Sequence, residues 1–202
     1  MKEMLTFEEF QTDRYNRAEY VAQRFGAEYH FRNVTRNNPS KNLPYHNNQH
    51  SYTVALQAVN GGLQHKLDDD QLRILFIAGL YHDWNHTGTG NENENIARAV
   101  AGCLAGMRAA GDSDKDMWTV MFLIYATASN FVVPSKLPLL KAIIRDADLM
   151  QNFEFDYPVF FEGLSEELGF PVTVETTKTF LETHLFHTQW GATALSRASH
   201  LK

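Results

Sequence analysis

Three short segments of the sequence concentrate histidine and aspartate, the residue types that a hydrolytic metal site requires. They are residues 45–50 (YHNNQH), 82–86 (HDWNH) and 146–148 (DAD). Neutral imidazoles and ionised carboxylates together suit zinc, manganese, iron or magnesium. Four of the nine histidines lie in the first two segments, a clustering that indicates a metal centre.

The spacing within the first two segments predicts shared faces. Residues four apart lie on one side of a helix, so His46 and His50 can point into one cavity, as can His82 and His86. Either pair alone is equally well explained as surface or capped core. The adjacent His82 and Asp83 are more informative. They end an apolar run, where a buried carboxylate is costly without a compensating cation.

Helical periodicity and capping signals run through nearly the whole chain, so the predicted fold class is all-α. We expect a polar loop over residues 31–44 and a helix break at the glycines of positions 61 and 62. No segment alternates convincingly as a strand. The predicted helices cover residues 6–26, 46–59, 72–81, 92–110, 115–129, 137–151, 156–168 and 176–197.

Composition limits the class of protein. The 202 residues are 44% apolar and 21% charged, which predicts one globular domain over residues 1–202. A net charge of −6 and a pI near 5.8 supply no broad basic surface, so we expect no polymeric nucleic acid as partner. The single cysteine, Cys103, cannot form an internal disulfide and is predicted to be a core residue.

Membrane insertion is not expected from the sequence. The first residues lack the apolar stretch of a signal peptide, and the longest apolar runs are too short to span a bilayer. We therefore predict a cytoplasmic protein without a membrane partner.

The three segments resemble motifs of a known enzyme family. Residues 82–91 (HDWNHTGTGN) are similar to the H-D-x-x-H-x-G-x-x-N motif of class I cyclic-nucleotide phosphodiesterases, within the HD-domain metal-dependent phosphohydrolase superfamily. Residues 45–50 resemble the Y-H-N-x-x-H element of these enzymes, and residues 147–149 resemble their A-D-L element. The resemblance implies a single compact HD-domain helical bundle, with a motif-bearing core of about residues 45–151.

The resemblance also implies roles for individual residues. His50, His82, Asp83 and Asp148 would hold a tightly bound zinc, manganese or iron ion, and Asp83 would bridge to a second magnesium or manganese ion. A hydroxide between the two ions would attack the phosphorus. His46 would be the general acid, with His86 and Asn91 near the waters of the second ion. Tyr45, Asn91 and Gln189 are the predicted substrate-binding residues.

The expected substrate is a small phosphate ester, with a cyclic mono- or dinucleotide ahead of a nucleoside monophosphate or a pyrophosphorylated nucleotide. Only 64 residues separate Asp83 from Asp148, so much of the specificity apparatus of the longer family members is missing. A nucleoside monophosphate phosphatase, a di-iron HD-domain oxygenase and a non-catalytic sensor are the alternatives. The oxygenase is disfavoured because no histidine lies between His86 and His184.

Several residues keep two interpretations. Glu92 and Glu94 either reach the second ion or favour the start of a helix. Asp146 competes with the favoured Asp148 as a ligand, or it supports the ligands or is a surface acid. Gln189 either contacts a purine or lies on an ordinary amphipathic helix. The cations of the predicted loop either capture phosphate or are solvated, and a homodimer is possible. These cations are Arg32, Arg36 and Lys41.

Overall fold

The structure is a computed structural model that describes residues 7–150, 157–183 and 186–197. Within these residues it contains ten α-helices and no strand, which confirms the all-α prediction. The helices are α1 (Phe7–Arg24), α2 (Glu28–Asn37), α3 (Asn48–Gln64), α4 (Asp69–Tyr81), α5 (Glu92–Ala110), α6 (Asp114–Thr127), α7 (Leu139–Leu149), α8 (Tyr157–Leu168), α9 (Val174–Thr183) and α10 (Gln189–Arg197).

Helices α3 and α4 form the centre of the bundle and make its most extensive helix contact. Helices α1 and α7 pack against α3, while α6 packs against α4. Every residue from Ile74 to Tyr81 is buried. A helix that is apolar on all sides is stable only when other helices surround it, so α4 takes the central place.

Gly79 allows the backbones of α3 and α4 to meet. A Cβ atom at this position would lie 2.5 Å from the Cα and 2.6 Å from the backbone nitrogen of Ala55. No rotamer change relieves a contact with backbone atoms, so only glycine fits here. The close approach lies one turn before His82, at the end of α4 that leads into the HDWNH segment.

Two glycines of α5 leave room for the aromatic side chains at the end of α4 and in the HDWNH segment. A Cβ at Gly102 would collide with the indole of Trp84, and one at Gly106 would collide with the Tyr81 hydroxyl group. The rings of Tyr81 and Trp84 lie next to each other, with centroids 5.4 Å apart. The tryptophan after the HD pair is therefore a packing residue that anchors the end of α4 on α5.

Three predicted elements differ from the structure. The loop predicted from residue 31 is helical up to Asn37, because His30, Phe31 and Val34 form a buried face of α2. Helix α3 does not break at Gly61 and Gly62, since these glycines pack closely against Trp190 and Leu72. The predicted helix 176–197 is two helices.

The separation of α9 and α10 follows from local capping. Residues 186–188 are not helical, and the Thr188 hydroxyl group accepts a hydrogen bond from the Gly191 backbone N–H at 3.0 Å, as an N-cap does. Residues 6, 151, 156, 184 and 185 of the predicted helices lie outside the described residues. Among the described helices, none combines the length and apolar character needed to cross a bilayer.

Replacing Gly79 tests the role of the close helix contact. Gly79→Ala should lower the free energy of unfolding by about 1–3 kcal/mol, because the added methyl group forces two backbones apart. Gly90→Ala is the matched control, since a Cβ there meets nothing within 4 Å, and it should leave stability nearly unchanged. Urea unfolding followed by circular dichroism measures both. Equal stability of the two variants would contradict the proposed contact.

Candidate active site

Four side chains from three segments meet at one point beneath the surface. The His50 Nε2 atom lies 3.1 Å from Asp83 Oδ2 and 3.3 Å from Asp148 Oδ1. The His82 Nε2 atom lies 2.9 Å and 3.4 Å from the same two oxygens. The two Nε2 atoms are 3.1 Å apart. We call these four residues the His/Asp cluster.

Helix ends position the two histidines of the His/Asp cluster. Asn47 is the N-cap of α3, and its side-chain oxygen accepts hydrogen bonds from the backbone N–H groups of Gln49 and His50. His50 therefore projects from the first turn. His82 is the C-cap of α4, and its Nδ1 atom lies 2.8 Å from the Gly79 carbonyl oxygen. Because that nitrogen donates, the Nε2 lone pair of the neutral ring points at the carboxylates.

The turn after α4 directs the rest of the HDWNH segment. Asn85 has a φ of 58°, a left-handed conformation that asparagine tolerates better than most residues. The Asn38 side-chain oxygen accepts a hydrogen bond from the Asn85 N–H, and the Asn38 amide donates to Asn48. The prediction that His82 and His86 share a helix face is therefore wrong, since α4 ends before both. His46 and His50 do not share a helix face either, because α3 begins after His46, although both line one cavity.

Electrostatics bind the His/Asp cluster together. Burial alone would lower the pKa of His50, but hydrogen bonds to Asp148 and Asp83 raise it to about 9. Burial likewise opposes protonation of His82, yet the charges of Asp83 and Asp148 raise its pKa well above the ordinary value. Burial acts to raise the pKa of Asp83, and the His82 imidazole instead holds it well below its usual range. The carboxylates of Asp83 and Asp148 are therefore stable in this buried place only with positive charge beside them.

A divalent cation would supply this positive charge. Two imidazole nitrogens and two carboxylate oxygens form a donor set typical of zinc, manganese or iron. Ligand atoms about 2.0–2.2 Å from one ion lie roughly 3 Å apart from each other. The separations of 2.9 to 3.4 Å in the His/Asp cluster agree with that spacing. The predicted ligands His50, His82, Asp83 and Asp148 are therefore brought together as one possible metal-binding group.

A second group lies beside the first and is organised by hydrogen bonds. The Nδ1 atom of His46 lies 2.5 Å from a carboxylate oxygen of Glu167. The other oxygen of Glu167 accepts the backbone N–H groups of Tyr45 and His46 at 2.6 and 2.9 Å. The Nε2 atom of His46 has no protein partner among the described residues. Glu167 therefore fixes the orientation of the imidazole and leaves one nitrogen for a ligand.

His86 supports His46 by stacking. The two rings are nearly parallel, with centroids 3.7 Å apart. The Nδ1 atom of His86 accepts the Gly88 backbone N–H at 3.0 Å, and its Nε2 atom lies 2.8 Å from the side-chain amide nitrogen of Asn95. Burial, followed by the charge of His46, lowers the pKa of His86 to about 4. His86 is thus an uncharged neighbour, and its nitrogens are already engaged.

A cavity of about 340 Å³ lies over these two groups. Tyr45, His46, His50, Asp83, His86 and Asp148 line it, and its walls include the apolar side chains Ile96, Leu164, Leu168, Phe170 and Phe180. Burial and the nearby aspartates raise the pKa of Tyr45, so its hydroxyl group keeps its proton. The volume and the mixture of apolar walls with a polar floor are typical of small-molecule sites.

Other predicted residues lie elsewhere. Asn91 is exposed and donates to Glu94, while Gln189 is exposed and donates to Thr193, and neither lines the cavity. Arg32, Arg36 and Lys41 are also exposed, consistent with solvated cations. The positions of these five residues do not support a role in substrate binding.

Three acids are placed differently from one another. Glu92 lines the cavity and accepts the Ser129 N–H at 2.8 Å, whereas Glu94 pairs with Arg98 on the surface. Asp146 is fully buried and not a surface acid, and it accepts hydrogen bonds from the His187 and Thr188 backbone N–H groups and from the Thr188 hydroxyl group.

Glu167 is the residue that sequence reasoning missed. It lies 121 residues after His46, in a helix whose other glutamates, Glu162 and Glu166, are exposed. No local pattern separates Glu167 from these neighbours. Its burial, with 3% of the side chain exposed, becomes evident only in the folded chain.

The family model described as 3'5'-cyclic nucleotide phosphodiesterase matches residues 45–102. The predicted resemblance is confirmed over this segment, which is less than a third of the chain. It includes Tyr45, His46, His50, His82 and Asp83 and ends before Asp148 and Glu167. No curated protein and no solved structure matches the chain. The match supports a metal-dependent hydrolase of the phosphodiesterase type.

Metal affinity should rise with pH. Because the pKa of His50 is raised to about 9 and that of His82 is raised as well, the imidazoles of the metal-free protein keep protons to a higher pH than an ordinary histidine does. A cation must displace them. Between pH 6.5 and 9, affinity for Zn²⁺ or Mn²⁺ should increase by up to about tenfold per pH unit for each proton released.

Calorimetry in buffers of different ionisation enthalpy measures both the affinity and the protons released. His50→Ala should bind more weakly and release one proton fewer. Binding without proton release near pH 7 would contradict the assignment of His50 and His82 as ligands.

Proposed function

We propose that the protein is a metal-dependent phosphodiesterase that hydrolyses a small nucleotide. The observation that carries the proposal is the convergence of His50, His82, Asp83 and Asp148 beneath a cavity whose side holds the His46–Glu167 pair. Cations held by the His/Asp cluster would activate water as a nucleophile and offset the charge on the phosphoryl oxygens. The number and identity of the ions belong to this proposal.

His46 is the proposed proton donor. When the ring is protonated, its Nδ1–H donates to Glu167 and its Nε2–H is directed to the leaving oxygen of the substrate. Burial acts to raise the pKa of Glu167, but the hydrogen bond from His46 lowers it, so the residue keeps its negative charge. His86, with a pKa of about 4, holds the ring by stacking and does not compete for the proton.

The walls of the cavity favour a nucleotide over a simple phosphate ester. Phe170 and Phe180 are 54% and 42% exposed, which is unusual for phenylalanine and offers flat surfaces at the cavity. Base stacking on an aromatic ring is sequence-tolerant and contributes about 1–3 kcal/mol. Thr176 and Thr177 add hydroxyl groups to the same wall. A nucleoside monophosphate would use the same features, so the diester reaction rests on the family resemblance.

Asp83→Ala and His46→Ala separate the two roles. Asp83→Ala should lose both bound metal and turnover, because it removes a central ligand. His46→Ala should keep the metal but lose about 10²- to 10⁴-fold in turnover of 3',5'-cyclic AMP or a dinucleotide. Its loss on bis-p-nitrophenyl phosphate should be far smaller, because p-nitrophenolate leaves without a proton.

Metal analysis and turnover with added Mn²⁺, Mg²⁺ or Zn²⁺ test these expectations. Full activity of Asp83→Ala would refute the assignment of the site. Cleavage of p-nitrophenyl phosphate without any diester cleavage would favour the nucleoside monophosphate phosphatase.

Glu167→Gln tests the positioning of His46. The amide keeps the size of the side chain but removes one of the two carboxylate oxygens that hold the His46 ring and the Tyr45 and His46 backbone N–H groups. Turnover of nucleotide diesters should fall by about ten- to hundredfold, a part of the general-acid contribution. Metal content should not change. The matched control is Glu166→Gln, an exposed neighbour on the same helix, which should behave like the unmodified protein.

Steady-state kinetics, metal analysis and thermal unfolding distinguish this role from a loss of folding. An equal loss in Glu166→Gln and Glu167→Gln, or a loss of metal in Glu167→Gln, would contradict the proposed role.

A further inference from the structure

A second cavity lies beside the first, and Asp148 lines both. It has a volume of about 570 Å³ and shares Thr127, Ser129, Asp148, Leu149 and Phe180 with the cavity over the His/Asp cluster. Because five residues line both spaces, the two cavities are adjacent, and we call them together the cleft. A ligand bound at the His/Asp cluster can therefore extend into the second space, which we call the Arg145 cavity.

Arg145 supplies the positive charge of this cleft. Among the described residues that line the two cavities, it is the one lysine or arginine. Its position on α7, three residues before Asp148, brings the two side chains onto neighbouring parts of the same helix face. The backbone of Arg145 thus lies about one helical turn from that of Asp148.

Neighbouring groups hold the guanidinium in a fixed orientation. Its Nη1 atom donates to the carbonyl oxygens of Ala126 and Ala128, at the end of α6. Its Nε atom lies 3.4 Å from the His187 Nε2 atom, and its central carbon lies 5.4 Å from the centre of the Phe131 ring. The Nη2 atom has no protein partner among the described residues.

A structural role explains only part of this arrangement. A cation near the last carbonyls of α6 stabilises the helix end, and the Nη1 contacts serve that purpose. Such a cap needs no cavity. Here a cavity with the hydroxyl groups of Thr127, Ser129 and Ser135 lies against the same guanidinium. An arginine held in this way is preorganised for an oxyanion, because little side-chain entropy is lost on binding.

We propose that the Arg145 cavity binds a second phosphate of the substrate. The preferred substrate is then a nucleotide diester with a further phosphate, such as a dinucleotide or a 3'-phosphorylated nucleotide ester, ahead of a nucleotide with a single phosphate. This inference rests on the proposed phosphodiesterase function, since the cleaved phosphate occupies the His/Asp cluster. Ions held by the His/Asp cluster would offset the charge of one phosphate, and Arg145 would offset that of the other.

Two chromogenic substrates that differ by one phosphate test the proposal. They are the p-nitrophenyl ester of thymidine 5'-phosphate and the same ester with a 3'-phosphate. The unmodified, metal-loaded protein should have the higher kcat/KM for the 3'-phosphorylated ester. Arg145→Gln should lower that value by about ten- to hundredfold and change the other ester by less than about twofold.

Lys141→Gln is the matched control for the loss of one positive charge. Lys141 lies one turn earlier on α7, with its nitrogen 5.7 Å from the centre of the same Phe131 ring, and it lines neither cavity. The preference between the two esters should persist in this variant. An equal loss of preference in both variants would overturn the proposal, as would equal kcat/KM values of the two esters in the unmodified protein.

Binding of thymidine 3',5'-bisphosphate provides a readout that needs no turnover. Calorimetry should find it bound at least about tenfold more tightly than thymidine 5'-phosphate, with the difference lost in Arg145→Gln. If Arg145→Gln fails to fold, the comparison of the two ligands in the unmodified protein still decides. Absence of diester cleavage with retained bisphosphate preference would refute the phosphodiesterase and keep the phosphate site. Diester cleavage without the preference for the bisphosphate would keep the phosphodiesterase and refute the second phosphate site.

Discussion

The close approach of α3 and α4 at Gly79 and Ala55 is the constraint on which the rest of the site depends. His50 lies five residues before Ala55, and His82 lies three residues after Gly79, so the contact between the backbones sets the distance between the imidazoles. Their Nε2 atoms end 3.1 Å apart. The Gly79 carbonyl also lies 2.8 Å from His82 Nδ1. One backbone position therefore determines both the separation of the donors and the tautomer of one of them.

The same arrangement places the negative charges of Asp83 and Asp148 close together, and either protons on the histidines or a cation must neutralise them. In the metal-free protein, the raised pKa values of His50 and His82 contribute stability below about pH 6.5, and the part from His50 is lost as pH rises through about 9. The lowered pKa of Asp83 contributes stability above about pH 3.8 that is lost as pH falls. A cation replaces the protons in the same space. The site is thus a place where folding and metal binding use the same interactions.

The sequence predicted the residues of the His/Asp cluster because their chemistry is unusual and their motifs are local. The structure brings His50, His82, Asp83 and Asp148 together, and the helix predicted over residues 92–110 matches α5. The predicted helix over residues 72–81 ends where α4 ends, but the sequence did not predict the position of His86, because it could not reveal that Asn85 takes a left-handed turn.

Contacts between distant segments explain what else could not be predicted. Gly61 and Gly62 read as helix breakers in isolation, but inside the bundle their missing side chains admit Trp190 and Leu72. No sequence pattern around Glu167 marks it, because its role depends on the Tyr45 and His46 backbone N–H groups, which are distant in sequence. A local sequence pattern does not predict the role of residues whose contacts come from distant segments of the chain.

Two buried carboxylates join the C-terminal part of the chain to the site. Glu167 accepts the amides of Tyr45 and His46, and Asp146 accepts those of His187 and Thr188. The family match ends at residue 102 and so contains the proposed proton donor and three of the four cluster residues. Much of the cavity wall, and Arg145, come later in the chain. Similarity over residues 45–102 therefore bears on the type of reaction, while the choice of substrate depends on the part of the cleft beyond the match.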